Sequence, residues 1–280
     1  MDAFERLTLE EIAEAVPDGA LLGVPADYSG VPMAATRALI ARGARDLRLY
    51  CLPYTTLQGD MLIGAGCVAS VEAAAVTLGE HGLAPRFTAG VESGALEMRD
   101  STCPALHAQL QATEKGVPFM PQRGIIGSDI AAHRPDWQVI DSPFGKAPDP
   151  VLLVPAVKLD VTLFHAPYAD RDGNVFIGRR RELATLVHAA SKVLVTVEKI
   201  VDESLYATEA SAACALPAFY VDGIAVAEDG AWPCGLTDLY PPDAEAIRAY
   251  AAAAKTQAGF KAYLAEFGLA PRPTPASQTA

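Results

Sequence analysis

The sequence predicts a single large α/β domain over residues 1–270, with a mainly parallel sheet flanked by helices, and a disordered tail over 271–280. The first fifty residues alternate helix, strand, loop, helix and strand, which opens a parallel sheet because parallel neighbours need a crossover between them. Further on, the short apolar runs Val151 to Pro155, Val161 to His165 and Val193 to Val197 read as buried strands. At 280 residues, 51% of them hydrophobic and 20% charged, the chain can bury one substantial core.

Taken in order, Leu7 to Val16 carries apolar residues at helical spacing behind Thr8, an N-cap answered three residues later by Glu11. Pro17-Asp18-Gly19 stops that helix before a strand, Ala20 to Val24. Pro25 to Gly30 reads as a loop, since Pro25 lacks the N–H of a central strand, and Pro32 starts a helix to about Arg42. Asp46 to Leu52 is a second strand, Thr56 to Gly64 a helix, and Val68 to Ala75 fits either state. Thr102 to Lys115 is a helix ended by Gly116. Val117 to Pro121 is extended, Gly124 to Ser128 a flexible loop, and His133 to Pro150 a long excursion rich in Pro, Asp and Gly. After the apolar strands, Asp172-Gly173-Asn174 turns the chain into Val175 to Ile177, and Arg180 to Ala190 forms a helix. Ala244 to Ala253, capped by Asp243, and Thr256 to Phe267 close the domain.

A formal charge of −12 argues against nucleic acid or an anionic membrane as partner, because phosphate surfaces are held by clustered Lys and Arg. The most apolar stretch, Ile63 to Gly79, is interrupted by Glu72, and the N-terminus lacks a basic-then-apolar leader, so a cytoplasmic protein is expected. Five cysteines with no C-x-x-C pair read as reduced thiols, buried and inert.

Familiar catalytic spacings are absent. There is no G-x-S-x-G elbow, no H-E-x-x-H, no Walker loop and no G-x-G-x-x-G after a strand. None of the five histidines sits at metal-ligand spacing, so neither a metal nor a bound cofactor is expected. His165 ends a buried strand, where function often sits, though a satisfied structural histidine is the commoner outcome.

Several phrases in order resemble the α subunit of family I coenzyme A transferases, with the glutaconate-type enzymes as the nearest pattern. They are Asp60 to Gly64, Gly116 to Pro121, Ile140 to Phe144, Val154-Pro155, Asp160-Val161, His165-Ala166, Asp172 to Val175 and Lys255-Thr256-Gln257. The resemblance covers roughly residues 10 to 268. It implies an active site shared with a β-type subunit, whose glutamate attacks an acyl-CoA thioester, with coenzyme A as substrate and a small carboxylic acid as acceptor. No catalytic nucleophile is then expected in this chain. Its share is a loop whose N–H groups stabilise developing negative charge, here Val24, Pro25, Ala26 and Asp27, plus part of the acid pocket. Glu92-Ser93-Gly94 is not read as the nucleophile, because Gly94 to Glu97 matches the non-catalytic α-type phrase.

Two departures matter. Val24-Pro25-Ala26 stands where the family has Gly-Gly-Phe, and Pro25 offers no N–H, so a donor is lost or is supplied from Ala26 or Asp27. Arg123, in a loop with Gly127 and Ser128, resembles a ring-opening CoA-ester hydrolase branch; it binds a substrate carboxylate or makes a surface or interface ion pair. That branch also carries a glutamate near the position of Cys103. The alternatives to a transferase are therefore a hydrolase subunit on the same scaffold and a non-catalytic scaffold subunit.

Overall fold

The computed structural model describes residues 4–146 and 148–268; the tail at 271–280 lies outside the described residues. Helix α1, Leu9–Glu14, is shorter than expected but capped as read: Thr8 Oγ1 accepts from Glu11 N–H at 3.1 Å and the Glu11 carboxylate accepts from Thr8 N–H at 2.8 Å. Strand β1 is Leu21–Pro25, so Pro25 closes the central strand and does not begin the loop, a correction to the expected boundary. It is tolerated there because pairing with the neighbour on one side has already ended at Gly23. Helix α2, Met33–Arg42, ends on Gly43 in the left-handed region. Then follow β2, Leu47–Leu52, β3, Tyr54–Thr55, and α3, Leu57–Gly64. The ambiguous segment is strand β4, Val68–Ala73, followed by β5, Ala75–Val76; α4, Pro85–Glu92, and β6, Glu97–Asp100, had no clear sequence period.

Helix α5, Cys103–Glu114, leads into the excursion, which holds β7, Phe119–Gln122, α6, Asp129–Ala132, β8, Gln138–Asp141, and β9, Pro150–Pro155. The chain returns as β10, Leu159–Asp170, β11, Val175–Phe176, α7, Arg181–His188, and β12, Ala190–Val201. It finishes through α8, Glu209–Ala212, β13, Ala215–Leu216, β14, Gly223–Val226, α9, Ala244–Ala253, and α10, Gln257–Tyr263, after which the last turn widens to a π-helix rather than continuing as α-helix.

The fold is α/β, a single domain on a nine-stranded sheet. Strands β6, β4, β2, β1, β10, β12 and β14 pair in parallel in that order, and only β11 and β13 are antiparallel, off the far end of β10. Strand β9 is not part of it. It forms the middle of a separate three-stranded antiparallel sheet with β7 and β8, over a small core of Ala105, Ala108, Trp137, Leu152 and Val154.

Motif phrases far apart in sequence meet here. Asp60 accepts from Tyr250 Oη at 2.7 Å and from the Phe87 N–H at 2.7 Å, thereby capping α4, while Arg86 donates to the Gln257 side chain at 2.7 Å and the Lys255 carbonyl at 3.3 Å. Burial pushes the Asp60 carboxyl above its usual range against those hydrogen bonds. Asp170 likewise holds the turn after β10, accepting from the N–H groups of Asp172 and Asn174 and from Leu205 across the sheet.

Candidate active site

Strand β1 has β2 on one side and β10 on the other, so the chain leaves its two neighbours in opposite directions and a crevice opens beyond their carboxyl ends. Into that crevice runs the loop expected to face substrate. Val24, Pro25 and Ala26 are buried, and Asp27–Ser29 forms a single 3-10 turn. Its first internal bond is Ser29 N–H to the Ala26 carbonyl at 2.9 Å, so the N–H groups of Asp27 and Tyr28 precede the ladder and have no helical acceptor. Gly30 ends the turn at φ 98°, and a Cβ there would stand 2.0 Å from the His165 carbonyl oxygen; only glycine fits. The His165 N–H donates to the Gly30 carbonyl at 2.8 Å, pinning the loop to β10.

Beneath the loop lies a charged cluster. His165 is fully buried, with Nδ1 at 2.8 Å from Thr196 Oγ1 and Nε2 at 2.8 Å from Glu198 Oε1. Both ring nitrogens are engaged, which is the satisfied structural histidine. Glu198 also accepts from Tyr240 Oη at 2.5 Å and from the Asp229 N–H at 2.7 Å. Burial works to raise its carboxyl, but these hydrogen bonds prevail and hold it below the usual range. Sequence reading did not single out Glu198 or Tyr240. The signal for Glu198 was a carboxylate immediately past the apolar run Val193 to Val197, at the carboxyl end of a buried parallel strand.

Tyr240 carries the cluster to a cleft of about 630 Å³, which Asp27, Tyr28, Tyr54, Thr56 and Cys234 also line. Oxygen Oδ1 of Asp27 is buried with no hydrogen-bond partner among the described residues. Burial and then the Asp27 carboxylate push the Tyr54 hydroxyl up, and burial raises the Cys234 thiol to about 12. On the loop's other side, Ser29 Oγ donates to Glu182 of α7, and Arg180 Nε donates to the Tyr28 carbonyl at 2.7 Å. Burial, then the charges of Glu182, Cys103 and Asp27, raise the Tyr28 hydroxyl. Cys103 is exposed and Cys214 half-exposed, so the expectation of uniformly buried thiols holds only for Cys51, Cys67 and Cys234.

The structure does not bring all the expected residues together. Asp27 lines the cleft, whereas Arg123, Gly127 and Ser128 lie outside its walls, in the excursion. Arg123 is exposed and ion-paired with Asp149, and the Ser128 hydroxyl closes its own turn on the Ile125 carbonyl at 2.8 Å, so that loop is a hydrogen-bonded turn. Glu97 is exposed on β6 with Arg99 4.0 Å away, as a structural carboxylate.

Residues 6–227 match the model of the coenzyme A transferase family. The α-type subunit of the 3-oxoadipate CoA-transferase of Pseudomonas knackmussii is 32% identical over 271 residues, 94% of this chain and 93% of that one. Among solved structures, glutaconate coenzyme A-transferase from Acidaminococcus fermentans aligns with a TM-score of 0.85 at 26% identity, over 95% of this chain and 89% of that chain. A variant of the decarboxylase AibA/AibB aligns with a TM-score of 0.80 at 31% identity, over 95% of this chain and all of that one.

Proposed function

Because the chain belongs to the coenzyme A transferase family, we propose that it is the α-type half of a two-subunit enzyme that moves coenzyme A from an acyl-CoA to a small carboxylic or dicarboxylic acid. One observation carries this reading: the likeness to the α-type half of a CoA-transferase runs nearly end to end in both chains. The described residues add a site that is half-built, with free N–H groups at Asp27 and Tyr28 but with its most engaged carboxylate, Glu198, held by three donors and unable to attack.

In this reading a glutamate of the β-type partner attacks the thioester carbonyl. The C–S bond breaks, coenzyme A leaves as thiolate, and an acyl-glutamyl anhydride forms. The thiolate then attacks the glutamyl carbonyl, releasing the first acid and leaving a glutamyl thioester for the acceptor acid to turn over. This chain's part is electrostatic: the Asp27 and Tyr28 N–H groups take the role that Pro25 has vacated, and one such donor is worth on the order of 100-fold in rate. Arg123, with Gly127 and Ser128, is placed to take an acid carboxylate once the partner closes over the excursion and competes with Asp149. The outer face there supports such a partner, since Phe119, Val139, Ile140 and Phe144 are exposed together around β7 and β8, Phe144 by 97%.

The test is the purified complex with its β-type partner, given an acyl-CoA and candidate acids such as 3-oxoadipate and glutaconate. Transfer that depends strictly on the acceptor, with a hydroxylamine-sensitive glutamyl thioester on the partner, is expected. Release of free CoA without an acceptor would move the assignment to a hydrolase, a reading weakened by Cys103 standing where that branch carries its glutamate. Release of carbon dioxide would move it to a decarboxylase, the activity of one structural relative.

A further inference from the structure

In a chain of net charge −12, Arg179, Arg180 and Arg181 follow one another in the turn that leads from β11 into α7. Two of them are tied to backbone. Arg180 Nε donates to the Tyr28 carbonyl at 2.7 Å, and Arg181 donates to the Ala213 carbonyl, so the turn is fixed against the loop that follows β1. Arg179 is exposed and has no ion pair among the described residues. Beside the arginines, Tyr168 and Phe176 stack with centroids 4.7 Å apart and planes 12° from parallel, and both rings remain partly open to solvent. Gly178 lies between, at φ 58°; a Cβ there would stand 3.5 Å from the Phe176 ring and 3.6 Å from Arg180 Nη1, so a ring and a guanidinium flank a position without a side chain.

Stacked aromatics next to guanidinium forks are the chemistry that holds a nucleobase and its phosphates. We propose that Tyr168, Phe176, Arg179 and Arg180 bind the phosphorylated adenosine end of coenzyme A, leaving its thioester arm to run along the Tyr28 loop toward the crevice. The assignment rests on the transferase reading, which supplies the ligand. The neighbouring carboxylate does not oppose it, since Glu182 is engaged by the Ser29 hydroxyl.

The experiment compares an acyl-CoA with the same ester of 3′-dephospho-CoA in the complex with the β-type partner. Arg179→Ala should raise KM for the acyl-CoA about tenfold, the loss of one charge-assisted hydrogen bond, and narrow its advantage over the dephospho ester, with kcat retained. Phe176→Leu should raise KM for both esters alike. Arg45→Ala, at an exposed arginine on the other side of β1, should change neither. Unaltered KM values in both Arg179→Ala and Phe176→Leu would overturn the assignment while leaving the transferase reading intact. If the complex transfers no coenzyme A, the transferase reading fails, and calorimetry with adenosine 3′,5′-bisphosphate still decides the corner. Binding weakened by Arg179→Ala supports it; no binding at millimolar nucleotide, or binding indifferent to Arg179, overturns it.

Discussion

In the nine-stranded sheet, buried polar groups are answered by groups from the same chain, whereas in the three-stranded sheet of the excursion apolar groups face outward. His165, Glu198 and Tyr240 close on one another at the carboxyl ends of the parallel strands, and Asp60, Tyr250, Arg86 and Gln257 lock the C-terminal helices to α3 and α4. On β8 every residue is exposed, and Phe144 just beyond it is almost wholly so. The first region therefore carries the stability of the isolated chain, and the second is shaped for another surface. The contrast also locates the function. A site that needs a second polypeptide is assembled where the self-sufficient sheet meets the unfinished face.

The largest effect that would break the comparison is in the buried cluster. His165→Ala leaves a cavity and takes one donor from a carboxylate that stays buried, so it should destabilise the chain by about 3 kcal/mol or more in urea unfolding. A loss under about 1 kcal/mol would mean that the cluster contributes little to the fold. Asp60→Ala removes the acceptor of Tyr250 and the cap of α4 together and should cost about 2 kcal/mol, with Tyr250→Phe costing about half of that.

The same two carboxyls should respond to pH with opposite sign. Glu198 is held below its ordinary range in the fold, so its contribution is present above about 4.3 and is lost as pH falls through its folded value. Asp60 is pushed up, so its share is present below about 3.9 and is lost as pH rises through its folded value. Unfolding midpoints from pH 3 to pH 7 should accordingly show a shallower acid loss in Glu198→Gln than in the wild type (roughly one carboxyl's share), and a steeper one in Asp60→Asn.

The excursion should behave differently. Phe144→Asp is expected to leave the chain's stability within about 0.5 kcal/mol while weakening association with the β-type partner about tenfold, read by titration calorimetry. Unchanged association would take the partner off this face. Smallest of all on stability is Arg123→Ala, since its ion pair with Asp149 is exposed; no change in melting is expected, and a raised KM for the acceptor acid alone would assign it to the substrate.

The sequence by itself determined the α/β class, the parallel strands β1, β2, β10 and β12, the capped first helix and the family, because periodicity, caps and contiguous phrases are local properties. It did not reveal that Val151 to Pro155 leaves the main sheet, since an apolar run looks the same in a parallel sheet and over a small antiparallel core. Nor did it show Asp60 beneath Tyr250, Glu198 beneath Tyr240, or Arg123 taken by Asp149, because those partners are 190, 42 and 26 residues apart. Such pairs are set by strand order and by the crossings between strands, which hydrophobic spacing does not encode, and only the packed chain decides them.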